Sequence, residues 1–320
     1  MTNFDVAIIQ TGGTISSAGE NSLAPNMAKA TQIEAKAKDI FSLQGLTSQI
    51  FYPLAPKLYD SSDISPNEWQ KIKEQICELQ GKGVSKFLIL HGTDTMCYTA
   101  SALSLAVSSC TVVLTGSQRT LEDDDFDGFD NIRLAAEFLA ENDTMQNGVY
   151  IAFASEIIPA PFCHKQNSNG LKAFCDTRNC ADEVTLDFYS GDVDLSKANL
   201  DDVEIIRLNP ISIPYSQNIM NNKKYLLIFG FGSGNVPSYF KENLKRQFAN
   251  VPNCKKPKII AASTCEKGLK ASSLYDTGLE SLSKDGFNVL PQGEFSEEFV
   301  IILLALSSQI EVMQIFNLYC

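Results

Sequence analysis

Histidine is scarce in this chain. Only His91 and His164 occur among 320 residues, so an imidazole-built metal site has little to draw on. A basic excess is missing too: 26 Lys and Arg face 38 Asp and Glu, for a net charge of −12. So acidic a chain cannot displace the counterion shell of a phosphate backbone, which argues against a nucleic-acid partner and leaves solubility as the reading of its charge. Long apolar runs are absent as well. The longest, Phe299 to Leu306, falls far short of the roughly 20 residues of a membrane span. Met1 to Gln10 has no basic opening segment, and its short apolar run leads at once into Thr-Gly-Gly-Thr, so no secretory leader is expected. The nine cysteines are odd in number and irregular in spacing. Cys175 and Cys180 form a C-x4-C pair, with no second pair to close a tetrahedral zinc site. Reduced thiols in a cytoplasmic setting are the expectation.

What is present is a repeated order of apolar strand, short polar loop and helix. Val6 to Gln10 opens into Thr11-Gly12-Gly13-Thr14, Phe87 to Leu90 into His91-Gly92-Thr93-Asp94-Thr95, and Val112 to Leu114 into Thr115-Gly116-Ser117-Gln118. Between the first two lies a helix start, with Ser65 as N-cap, Pro66 at the first helical position and Glu68 completing a capping box. Trp69, Ile72, Ile76 and Leu79 follow at helical spacing, and Gly81 and Gly83 end the helix. Such alternation predicts an α/β fold on a mainly parallel sheet, whose ligands sit at the carboxyl ends of the strands. A second set follows, with strands expected at Tyr225 to Phe229, Lys258 to Ala262 and Phe287 to Leu290. Val184 to Gln217, rich in Asp, Asn, Ser and Pro, reads as a connector. The expected division is a larger N-terminal domain with flanking helices over residues 1–190, a linker over 191–215 and a smaller α/β domain over 216–320.

Each loop admits a chemical and a plain structural reading. Thr14, after two glycines at a strand end, could be a nucleophile with backbone N–H groups nearby, or the cap of the next segment. Asp94 could hold a substrate ammonium or cap the helix beginning near Thr95. Asp60-Ser61-Ser62-Asp63 could hold a substrate carboxylate or form a solvated turn. Lys165 could serve a site or simply face water. Gly230-Phe231-Gly232-Ser233-Gly234-Asn235 departs from the dinucleotide-binding spacing and reads as a tight turn. No G-x-S-x-G occurs, which leaves a serine triad without its usual elbow.

Thr11-Gly12-Gly13-Thr14-Ile15 followed about eighty residues on by His91-Gly92-Thr93-Asp94-Thr95-Met96 resembles the bacterial cytoplasmic (type I) L-asparaginase family. Asp60-Ser61-Ser62-Asp63, Thr115-Gly116-Ser117-Gln118 and Asp127-Gly128 with Asn131 agree with it. The likeness is dense to about residue 180 and thinner beyond. The resemblance implies that Thr14 attacks the side-chain amide of L-asparagine, supported by Thr93, Asp94 and Lys165. It implies that Asp94 also anchors the substrate ammonium, that Asp60, Ser61 and Ser62 hold the carboxylate end, and that Ser117 lines the pocket. It implies no metal and no organic cofactor, and a homodimer or homotetramer in which a partner closes each site, with Glu298 as the candidate contributor. The appended domain of the related amidotransferase is not expected before Met1. The chain departs from the family in the loop after the first motif: Ser16 to Pro25 holds no tyrosine, and Leu23 stands where the family has an activating one. Phe229 likewise stands where an allosterically regulated relative has an arginine.

Overall fold

Val6 to Ile9 have no solvent exposure, and a run so apolar on both faces suits only the interior of a parallel sheet. The computed structural model, which describes residues 4–19, 24–141, 147–178, 192–211, 222–265 and 278–319, places β1 (Val6–Gln10) there. A short antiparallel pair of β2 (Ser17–Ala18) with β3 (Ala24–Pro25) follows. Then come α1 (Met27–Leu43), β4 (Ser48–Phe51), α2 (Pro66–Gln80), β5 (Lys86–Leu90), α3 (Met96–Ser104), β6 (Thr111–Thr115), α4 (Gly128–Glu141), β7 (Gly148–Phe153) and β8 (Glu156–Pro159). These strands form one six-stranded sheet in the order β4-β1-β5-β6-β7-β8, parallel throughout except for the last pair. An antiparallel pair, β9 (Cys163–Lys165) with β10 (Phe174–Asp176), completes the elements near the site.

The topology sets the place of the chemistry. From β1 the chain adds β4 on one side and β5 on the other, so the strand order reverses at β1, where parallel sheets open a crevice. Gln10, Leu90 and Thr115 lie in line across β1, β5 and β6. The loops that follow them therefore leave the same sheet edge side by side.

The chain divides into two compact units. The first takes the residues up to Asp176, the stretch ending at Lys197 and Ser296–Ile302; the second takes Ala198–Phe295 and the residues from Leu303. The second carries a four-stranded all-parallel sheet of β11 (Val203–Arg207), β12 (Tyr225–Gly230), β13 (Lys258–Ser263) and β14 (Val289–Pro291). Helix α5 (Ser238–Gln247) packs Phe240 and Leu244 into a core with Leu226, Ile228 and Ile259. Helices α6 (Glu297–Ala305) and α7 (Val312–Tyr319) close the sequence. Gly230 to Asn235 is a closed tight turn, with Phe231 and Asn235 exchanging backbone hydrogen bonds of 2.8 Å. Among the described residues no helix is long and apolar enough to cross a membrane.

Residues 191–215, expected as a linker, are structured where they are described. Val193 and Leu195 are fully buried, and Lys73 Nζ donates to the Val193 carbonyl at 2.7 Å. Val203–Arg207 is a strand of the second sheet. The many polar residues around these few apolar ones obscure the pattern in the sequence. Parts of the run, residues 191 and 212–215, lie outside the described residues.

Helix α2 begins as its capping box predicts. Glu68 accepts from the Ser65 backbone N–H at 3.2 Å and from the Ser65 hydroxyl at 2.5 Å. Removing one side of such a box typically costs about 1 kcal/mol. Ser65→Ala is expected to lower the unfolding free energy by that amount, read as a lower urea midpoint at an unchanged slope; an unchanged midpoint would show that the cap contributes nothing.

Candidate active site

Glycines bring the loops together. A Cβ on Gly13 would lie 2.3 Å from the Gly92 Cα, and one on Gly12 would lie 2.2 Å from the Tyr59 carbonyl oxygen. Both glycines have positive φ, +87° and +123°, a region that glycine alone enters freely. Gly13 N donates to Tyr59 O at 3.0 Å and Tyr59 N to Thr11 O at 2.8 Å. The Thr14, Asp60 and Thr93 loops are thereby stitched into one surface. Gly116 repeats the device, since its Cβ would meet the His91 carbonyl oxygen at 2.2 Å.

Thr14 opens a short 3-10 turn over Thr14–Ser16 and is half-buried. Among the described residues no hydrogen bond engages its hydroxyl. The turn is held from behind, where the Gly13 carbonyl accepts from Ser16 N at 3.0 Å and from Ser17 Oγ at 2.8 Å. Thr93 is 5% exposed and follows Gly92 directly.

Lys165, at the end of β9, reaches across to this loop. Its Nζ donates to Thr93 Oγ1 at 2.8 Å and to Asp94 Oδ1 at 2.6 Å. The lysine side chain is 13% exposed and the aspartate side chain 68%. Helix α3 takes Thr95 as N-cap, with no side-chain capping bond. Asp94 therefore turns its carboxylate to Lys165 and leaves the helix end uncapped. Thr95 Oγ1 instead donates to the Ser61 carbonyl at 2.7 Å.

In the Asp60 loop the carboxylate is already engaged. Asp60 Oδ1 accepts from Ser62 N at 2.9 Å and from Ser62 Oγ at 2.6 Å, and these bonds, the hydroxyl's first, hold the carboxyl below its ordinary range. Asp60 thus shapes the turn. Ser61, 3% exposed, lies against Gly92, whose added Cβ would meet Ser61 Oγ at 2.6 Å. Ser117 Oγ donates to the Arg119 carbonyl at 2.6 Å.

Two further groups hold the loops; their residues stand in the motifs or the helix stripe, but the sequence assigns them no such role. The first is a buried polar chain behind the Thr93 loop. His91 Nδ1 lies 2.7 Å from the Gly92 carbonyl, which only accepts, so Nδ1 carries the proton. Nε2 must then accept from Thr99 Oγ1 at 2.9 Å, and Thr99 accepts in turn from Trp69 Nε1 at 3.0 Å. Every donor and acceptor is matched only when His91 is neutral, and burial accordingly pushes its pKa down to about 4. The second group is Gln118, whose Oε1 lies 2.9 Å from Thr93 Oγ1. Its loop is clamped from α4. Asp127 accepts from the backbone N–H groups of Gln118 and Arg119 at 3.0 and 3.1 Å, while Asn131 Nδ2 donates to the Gly116 carbonyl at 3.1 Å.

Glu298, expected to serve a partner's site, is 6% exposed in its own chain, with its carboxylate oxygens 3.0 and 3.2 Å from His164 Nδ1. Its place beside a residue 134 positions earlier could not be read from spacing. Leu23 falls outside the described residues.

With this geometry in hand, comparison with known proteins agrees on the class. The chain matches the family model "Asparaginase, N-terminal" over residues 5–197 and belongs to that family. An L-asparaginase of Thermococcus kodakarensis is 26% identical over 317 residues, covering 93% of this chain and 90% of that protein. One component of the glutamyl-tRNA(Gln) amidotransferase of Methanosarcina acetivorans is 24% identical over 313 residues, 90% of this chain and 71% of that protein. In the solved structure of L-asparaginase I from Vibrio cholerae, the fold recurs with a TM-score of 0.74 at 23% identity, over 98% of this chain and 95% of that chain.

The His91 chain makes stability depend on pH. An unfolded histidine takes up its proton near pH 6.5 and the buried one only near 4, so between these values the unfolded state binds more protons and stability rises with pH. Stability is expected to fall, by on the order of 3 kcal/mol from this group, as pH drops from about 6.5 to about 4. Carboxyl groups held low by their hydrogen bonds, such as Asp60, act in the lower part of that range and below it. Comparing urea unfolding of the wild type with that of His91→Gln from pH 7 to pH 5 isolates the imidazole; an equally steep loss in the variant would contradict the neutral assignment.

Proposed function

We propose that this chain is an L-asparaginase, hydrolysing L-asparagine to L-aspartate and ammonia through an ester on Thr14. The observation that carries the reading is the meeting of Lys165 with Thr93 and Asp94, at 2.8 and 2.6 Å, on a loop whose Gly92 touches Gly13, the neighbour of Thr14. The Thr14 oxygen attacks the side-chain amide carbon, the hydroxyl proton leaves with the departing nitrogen as ammonia, and water then cleaves the ester to aspartate and free threonine. Thr93 and Lys165 carry the proton between the reacting atoms. Asp94, with most of its carboxylate open to solvent, meets the substrate ammonium. Ser61 and Ser62, on the turn that Asp60 holds, take the carboxylate end, and Ser117 lines the pocket. Fixing both charged ends of the amino acid aims its amide at Thr14, a proximity effect. The reading needs neither metal nor organic cofactor. It places the protein in the cytoplasm, as a homodimer or homotetramer.

On this reading Thr14→Ala cuts ammonia release from L-asparagine by at least about 10³-fold, and Lys165→Met by about 10²–10⁴-fold. A Thr14→Ala protein that keeps the wild-type rate would remove Thr14 from the mechanism.

Leu23 favours a second reading, an asparaginase relative that binds a small amino acid with weakened catalysis, because leucine can neither donate nor accept a proton. Calorimetry separates the two. Aspartate binding with no ammonia release from asparagine or glutamine supports the second reading, and turnover of either amide rejects it.

A further inference from the structure

Gln118 has no role in the mechanism just described, yet its amide faces two groups at once. The Gly170 carbonyl can only accept, so the Gln118 atom 3.2 Å from it is the amide nitrogen Nε2. Oε1 then faces Thr93 at 2.9 Å, and since an amide oxygen cannot donate, the Thr93 hydroxyl must. On the other side of Thr93 stands the Lys165 ammonium, 2.8 Å away and a donor only. Each proton in the row has one direction: from Lys165 to Thr93, from Thr93 to Gln118, and from Gln118 to Gly170. Gly170 lies in the connection between β9 and β10, the same hairpin that carries Lys165. Arg119 reinforces the tie, its Nη1 donating to the Asn169 carbonyl at 3.2 Å.

We propose that Gln118 is a positioning residue that holds the resting Thr93 hydroxyl in one rotamer, with one lone pair open to the Thr14 proton; as Thr93 takes up that proton it releases its own, held until then by Gln118, to the departing nitrogen. A free threonine hydroxyl rotates to suit its surroundings; this one is held by an acceptor that is itself anchored at Gly170. The inference rests on the asparaginase reading and adds to it a group that acts through Thr93.

Two substitutions separate the acceptor from the tie. Gln118→Met loses both. Gln118→Glu keeps an oxygen for Thr93 but, like Met, cannot donate to Gly170. With L-asparagine as substrate, Gln118→Met is expected to lose about tenfold or more in kcat with KM within about twofold, as for a misplaced catalytic group. Gln118→Glu is expected to retain several-fold more kcat than Gln118→Met, at a similar thermal midpoint. Wild-type kcat in Gln118→Met, equal losses in the two variants, or a loss confined to KM would each overturn the inference. A wild-type chain that releases no ammonia in the same assay overturns the asparaginase reading and this inference with it; an active wild type beside an unaffected Gln118→Met overturns this inference alone.

Discussion

Two backbones can touch only where neither presents a β-carbon to the other, and this site depends on that at Gly13 and Gly92. A methyl group on Gly13 would fall 2.3 Å from the neighbouring Cα, a separation no rotamer change can relieve because both partners are main chain. Thr14 and Thr93 are the hydroxyl-bearing residues that directly follow these two glycines. Gly12 against Tyr59 and Gly116 against the His91 carbonyl extend the same device to the flanking loops. The sheet supplies the frame, since Gln10, Leu90 and Thr115 end in register on adjacent strands.

Behind this contact, the chain from Trp69 through Thr99 and His91 to Gly92 matches each donor to one acceptor. Inside a protein an unmatched polar group is destabilising by more than a matched one stabilises, so a complete chain such as Trp69, Thr99, His91 and Gly92 has one consistent arrangement of protons. The row from Lys165 to Gly170 is ordered in the same way. It runs from a half-buried cationic end toward the hairpin loop, whereas the histidine chain is fully enclosed and uncharged. The first can take part in moving a proton. The second holds the peptide from which Thr93 projects.

Much of this is legible in the sequence because it is local. The strand at Val6–Gln10 shows as an unbroken apolar run, and the helix at Pro66–Gln80 shows its cap, its stripe and its stop. The glycine loops can be placed at strand ends by the alternation of elements. Other features depend on distant partners. Lys165 lies 72 residues from Thr93, and only the resemblance points to it. Gln118 stands in one of the matching motifs, but nothing in its spacing reveals an amide bridging two loops. His91 looks like one more loop residue, because burial of a single polar side chain leaves no periodicity. The strand Val203–Arg207 is hidden, since its few apolar residues sit among charged neighbours.

The first unit is discontinuous in the chain: Ser296–Ile302 belongs to it, although Ala198–Phe295, which precedes them, does not. Glu298 reaches His164 from that late segment. During synthesis, when chains emerge from the N-terminal end, the neighbourhood of the Lys165 strand waits for Ser296–Ile302, made more than a hundred residues later. The position beside His164 that Glu298 fills stays open until then, and the first unit is completed only after Ala198–Phe295 of the second has been made.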